Sequence, residues 1–133
     1  ILTPNIPEAG VLLGRKIAAF GEMADAAIEL AQLGCRSVLV KGGHLEGEDS
    51  DDCLYLGGEA RVVRLPGARI ATRNNHGTGC TLSSAIAANL AKGAEIEAAV
   101  RHAKEYVTGA IRAGASYRIG HGHGPVHHFW KYW

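Results

Sequence analysis

The clearest pattern in the chain lies near its C-terminal end. Ile96, Ala99, Val100, Ala103, Val107, Ala110 and Ile111 recur at steps of three, four and one. That spacing predicts a long amphipathic helix with one buried stripe. A second helix is predicted over 21–33, where Met23, Ala27, Leu30 and Ala31 recur at helical spacing and Gly34 supplies a stop. A third, built largely of small residues, follows Cys80 to about Ala91, with Leu82, Ala85, Ile86 and Leu90 on one face and Gly93 at its end. Pro7 suits the first turn of a short helix that also takes in Glu8 and Ala9. Ile1-Leu2 reads as the end of a strand. Ser37–Val40 is short and, after Ser37, apolar, like a buried parallel strand. Cys53–Leu56 and Ala60–Leu65 flank Gly57-Gly58 as a hairpin does. Strands alternating with helices predict an α/β sheet fold.

Length and composition narrow the function classes. One domain is expected from 133 residues. Lys plus Arg is 14 and Asp plus Glu is 13, a net charge of +1. That balance predicts neither a nucleic-acid face nor a polybasic membrane patch. No apolar run is long enough for a membrane span, and no signal peptide is visible. Cys35, Cys53 and Cys80 are too few and too odd in number for a disulfide framework, so a reducing compartment, the cytoplasm, is expected. The 18 glycines are about twice the usual share, which points to tight turns or backbone-lined ligand loops. The chain starts at Ile1 inside an apolar segment, so it is expected to be part of a longer protein or to have lost a segment.

Against that background four groups of residues can carry chemistry. His76-Gly77-Thr78-Gly79-Cys80-Thr81 opens the small-residue helix. Glycines let neighbouring N–H groups point one way, at the positive end of the helix dipole, which suits a transferring phosphoryl group. The same field favours a thiolate, making Cys80 a candidate base or nucleophile; the plainer reading is a glycine-rich turn with a small cysteine. No Lys follows the last Gly, so this is not the common P-loop. Lys41 closes a buried strand and precedes two glycines, where α/β sheets gather ligands and a lysine meets phosphate; it is equally a surface lysine in a turn. Asn5 and Glu8 stand three apart at a loop-to-helix junction. They suit either a water-mediated Mg²⁺ or a local cap. Lys104 lies beside buried Ala103 in the long helix, where most lysines are solvated.

Two further tracts read as structural. The acidic run 46–52 is expected to be a solvated loop, with a cation site as the other reading. The tail holds His121, His123, His127 and His128, but no cysteine frames them as a metal site. Trp130 and Trp133 are expected to pack the tail down.

Taken together, LTPNIPEA at 2–9, VLVKGGH at 38–44, NNHGTGCTLSSAIAANLAKG at 74–93 and GHGPVHHF at 122–129 resemble the hydroxymethylpyrimidine and phosphomethylpyrimidine kinases of thiamine biosynthesis. The resemblance runs through nearly the whole chain, in family order. It implies a ribokinase-like three-layer α/β/α sheet, of which this chain is the C-terminal, nucleotide-binding half. It implies ATP and Mg²⁺ as cofactors and a small-molecule pyrimidine as substrate. On the matching positions, Gly77, Thr78 and Gly79 form the anion hole and Cys80 takes the base position. Lys41 and Lys104 reach ATP, and Asn5 with Glu8 serves Mg²⁺ and phosphate; no residue is implied as a direct metal ligand.

Two departures stand out. The family's loop reads Thr-x-Asn-Thr-His-Gly, whereas Asn75 replaces the second Thr here. Family chains are also roughly twice this length, as suits a larger α/β domain. The substrate pocket is therefore expected to need the N-terminal half, a partner chain or a homodimer. The other readings are a nucleotide-binding fragment without turnover and a pyridoxal kinase of the same superfamily. A cysteine hydrolase, with His76 as base to Cys80, is more remote.

Overall fold

The computed structural model describes residues 1–43, 47 and 49–132. They group into two compact units, Ile1–Arg69 and Ile70–Trp133. His44, Glu46, Glu48 and Trp133, which the sequence reading places in the KGGH motif, the acidic run and the tail, lie outside the described residues.

The first unit is built on a three-stranded antiparallel sheet, β1 (Ser37–Val40), β2 (Asp52–Leu56) and β3 (Arg61–Leu65), in that order. Val40 faces Cys53 and Leu56 faces Arg61 across the two ladders. β1 is buried throughout, as its apolar run predicts, but its neighbour β2 is antiparallel. Its parallel partner is the short N-terminal segment: Leu2 bridges Val38, and the Leu39 N–H donates to the Leu2 carbonyl at 2.8 Å. A hairpin return can supply an antiparallel neighbour locally, while a parallel one must come from farther along the chain.

Helix α1 (Ile6–Leu13) starts at Asn5, carries Pro7 in its first turn and stops at Gly14, whose φ of 66° suits glycine. Helix α2 (Phe20–Ala31) turns Met23, Ala26, Ala27 and Leu30 onto β1 and β2. It ends at Ala31, short of the expected 33. Residues 32–34 close the end through Gln32, Leu33 and Gly34 N–H bonds to Glu29, Leu30 and Ala31 carbonyls. At its start the Glu22 carboxylate accepts the Ala18 and Ala19 N–H groups, which hold it below the usual carboxylate range.

The acidic run is not wholly solvated. Asp51 and Asp52 are buried. Asp51 accepts from Arg64 Nε at 2.6 Å and from the Gly67 N–H at 2.8 Å; Asp52 accepts the Gly42 N–H at 2.9 Å. Charge at these two positions is retained because each carboxylate satisfies a donor that would otherwise be left unmet.

Cys53 is fully buried in β2. Burial, and then the adjacent Asp52 carboxylate, push its thiol from the ordinary 9.0 up to about 11. The unfolded chain therefore releases this proton first as pH rises. Stability is intact below about pH 9 and falls toward pH 11, where the folded thiol also ionises. The drop in urea midpoint between those pH values is expected to be smaller in Cys53→Ala than in the parent; equal drops would refute the assignment.

The second unit pairs α3 (Thr78–Ala91) with α4 (Ile96–Gly114). The α4 stripe is buried at Ala99, Val100, Ala103, Val107 and Ala110, as predicted, while its two end members, Ile96 and Ile111, are half-buried. On α3 only Leu82 and Ile86 are fully buried, while Ala85 and Leu90 stay half-exposed. The tail folds back on α4. His127 N–H donates to the Ala110 carbonyl at 2.9 Å, and Trp130 Nε1 to the Tyr106 carbonyl at 3.1 Å. Gly109 makes room for the Trp130 ring, because a Cβ there would sit 2.2 Å from it. Among the described residues no helix is long and apolar enough to cross a membrane.

Candidate functional site

Candidate residues fall into two groups, one on each unit. On the first, Asn5, Glu8 and Lys41 come together. Asn5 and Lys41 form a parallel bridge, and the Lys41 N–H donates to the Pro4 carbonyl at 2.9 Å. Asn5 Oδ1 accepts the Glu8 N–H at 2.8 Å, and Glu8 Oε2 accepts the Asn5 N–H at 2.7 Å. This reciprocal box fixes both side chains at the start of α1. It realises the capping reading, on a Glu8 that remains exposed. An exposed carboxylate is the kind of group a hydrated Mg²⁺ takes, since that ion keeps most of its waters.

After Lys41, Gly42 is buried against the Asp51 backbone. Arg69 holds the turn from the other side. Its guanidinium donates to the carbonyls of Gly43 at 2.9 Å, Gly47 at 2.8 Å and Asp49 at 3.3 Å. Nothing in its sequence neighbourhood signals this role, since its partners lie twenty or more residues away.

On the second unit the Gly77–Cys80 turn stands at the N-terminus of α3. Gly77 caps the helix with a φ of 83°, a conformation glycine adopts without strain. Thr81 N–H is the first to reach back, to the Gly77 carbonyl at 2.9 Å. The Gly79 and Cys80 N–H groups therefore have no carbonyl within the helix. They are donors for an anion, in a position where the helix dipole is positive. The Thr78 hydroxyl and N–H both bond the Asn75 carbonyl, at 2.7 and 3.3 Å, which pins the turn. Cys80 is exposed at this turn.

Lys104 lies half-buried in the middle of α4, the helix packed on α3. The His76 ring makes no hydrogen bond to Cys80 among the described residues, so the hydrolase reading lacks its base; the His76 N–H instead donates to the Gly124 carbonyl. Asn75, which replaces a family threonine, meets His123 Nδ1 at 3.0 Å. His127 lies over Tyr117 with ring centres 5.4 Å apart. Among the described residues no group of three or more His, Cys, Asp or Glu is placed to hold a metal. Sequence reasoning passed over Asn74, which is buried beside an open cavity of about 990 Å³ also lined by Arg73, Tyr117, Arg118 and His121.

The hydroxymethylpyrimidine/phosphomethylpyrimidine kinase of Rhizobium meliloti is 52% identical over 134 residues, all of this chain and 50% of that protein. The Escherichia coli protein of the same description is 42% identical, with the same coverage. The chain thus spans about half the length of the curated relatives it matches. Among solved structures, an ADP complex of Bacillus subtilis pyridoxal kinase superposes with a TM-score of 0.88 at 37% identity, covering 97% of this chain and 48% of that one. The likeness establishes the α/β, ribokinase-like fold class that the resemblance implied. The phosphomethylpyrimidine kinase family matches residues 1–127, and on that match, with its relatives alongside, the chain belongs to this family.

Proposed function

We propose that this chain is the C-terminal, nucleotide-binding portion, within a single domain, of an ATP-dependent kinase of thiamine biosynthesis. Its substrates are hydroxymethylpyrimidine and then the monophosphate. The observation that carries this reading is the Gly77–Cys80 turn, with free N–H donors at the start of α3, in a chain of this family.

Phosphoryl transfer asks mainly for positioning and charge stabilisation. Gly77, Thr78 and Gly79 form the anion hole around the transferring group, with the Gly79 N–H and the neighbouring Cys80 N–H as its backbone donors. Cys80 stands beside it as the base that takes the proton of the substrate hydroxyl. Lys41 meets the ATP phosphates as a point charge, and Lys104 approaches the nucleotide from α4. Asn5 and Glu8 orient Mg²⁺ and phosphate, and Mg²⁺ when bound neutralises phosphate charge. The remaining half of the domain, in the same protein or from a homodimer partner, completes the pyrimidine pocket. Such an enzyme works in the cytoplasm, and neither nucleic acid nor membrane is a partner.

A pyridoxal kinase is the second reading. It is favoured by the higher TM-score to the Bacillus subtilis pyridoxal kinase, 0.88, against 0.65 for a Clostridium difficile phosphomethylpyrimidine kinase. Phosphorus NMR with ATP and each alcohol in turn, on the chain and on the complete protein, separates these readings. Phosphorylated pyrimidine supports the proposal, and phosphorylated pyridoxal alone supports the second. Product from the complete protein but not from the chain makes the chain a nucleotide-binding fragment. Replacing Lys41 by alanine is expected to weaken ATP binding about tenfold or more by calorimetry, through loss of a charge-assisted contact. Equal affinity would remove Lys41 from the site.

A further inference from the structure

Asn74 is only 7% exposed, and its side chain is committed to the backbone of another element. Its Nδ2 donates to the carbonyls of Gly114 at 2.8 Å, Ala115 at 3.3 Å and Tyr117 at 2.8 Å. Gly114 is the last residue of α4, Ala115 its cap and Tyr117 lies just beyond, and the Gly114 carbonyl also accepts the Tyr117 N–H at 3.1 Å. The Thr72 hydroxyl supports the same clamp: it donates to the Ala115 carbonyl at 3.3 Å and accepts the Asn74 N–H at 3.1 Å.

The other side is closed as tightly. A Cβ at Gly124 would lie 1.9 Å from Asn74 Oδ1, so only glycine lets residue 124 approach. The Gly124 carbonyl then accepts the His76 N–H at 3.1 Å, and His76 bridges Pro125 in parallel register. Residues 74–76 are thus held between the end of α4 and the tail. Asn75, between them, presents the carbonyl that receives both Thr78 bonds. The chain of contacts runs from the Asn74 amide to the first residue of α3.

We propose that Asn74 is a positioning residue for the anion-binding turn. By tying the loop to the end of α4, it sets where the Gly77–Cys80 donors stand. It does not touch the transferring group. This inference rests on the kinase reading for its catalytic consequence, though not for its geometry. Aspartate at position 74 is nearly isosteric, but it loses both N–H donors and faces an oxygen to three carbonyls.

In the complete protein, Asn74→Asp is expected to lower kcat about thirtyfold, with KM for ATP changed less than about twofold, because misplaced donors act chiefly on the transition state. Thr72→Val, a milder change at a half-buried position, is expected to lower kcat about threefold with the same unchanged KM. It serves as the folded comparison should Asn74→Asp fail to fold. The rate of Cys80 alkylation by iodoacetamide, followed by mass spectrometry of its peptide, gives a readout that needs no turnover. It is expected to change at least about threefold in either folded variant, because the placement of the turn decides how the reagent reaches the exposed Cys80 Sγ. Parent-like kcat and alkylation in a folded variant overturn the positioning role, as does a fall in melting temperature alone. Absence of phosphate transfer in the parent overturns the kinase reading, and the alkylation rate then decides the role of Asn74.

Discussion

Cys80→Ala is expected to leave ATP binding within about twofold of the parent and to cut phosphate transfer about a hundredfold or more. The two halves of this result have separate causes. On the proposed reading the phosphate is held by backbone N–H groups of the turn at the start of α3, and alanine at position 80 retains its own backbone N–H. The substrate hydroxyl must lose a proton as it attacks, and alanine has no group to take it. Cys80 is exposed in the first turn of α3, and alanine is the better helix former, so the variant should fold. Calorimetry for ATP, phosphorus NMR for product and a melting curve together test the claim. Turnover within about threefold of the parent would falsify the assignment of Cys80 as base.

The largest stability effect is expected at a glycine. An alanine Cβ at position 42 would lie 1.8 Å from the Asp51 carbonyl oxygen and 3.3 Å from Met23 Cε. The methionine end can swing aside, but the carbonyl belongs to backbone and cannot rotate away. Moving it disturbs Asp51, which holds Arg64 and the Gly67 N–H, and Asp52, which accepts the Gly42 N–H. Overpacking combined with disturbed buried hydrogen bonds costs about 3 kcal/mol. The urea midpoint of Gly42→Ala should fall accordingly, with an unchanged slope. Gly58→Ala is the control. Its Cβ meets open space, and a shift within about 0.5 kcal/mol is expected. Matching midpoints in the two variants would show that the 42–51 contact does not constrain the fold.

The sequence by itself determined the helices, the end of α3 before Gly93 and the turn at its start, though α2 stops at Ala31 rather than at 33. The stripe from Ile96 to Ile111 and the glycine at 77 act through neighbours within a few residues, so periodicity and chain punctuation reveal them. It also marked the Gly57-Gly58 hairpin for the same reason. Lys41 and Asn5 were each legible as candidates, but their adjacency was not. That was decided by the Leu2 segment lying parallel to β1, a pairing across more than thirty residues. Asp51 and Asp52 looked like part of a solvated acidic run, and only folding showed what each one satisfies. Arg69 and Asn74 were silent for a related cause: their partners are backbone carbonyls, which carry no residue identity to read. Tertiary structure alone decided which side chain would satisfy which buried backbone group, because that depends on distant segments meeting rather than on any local spacing.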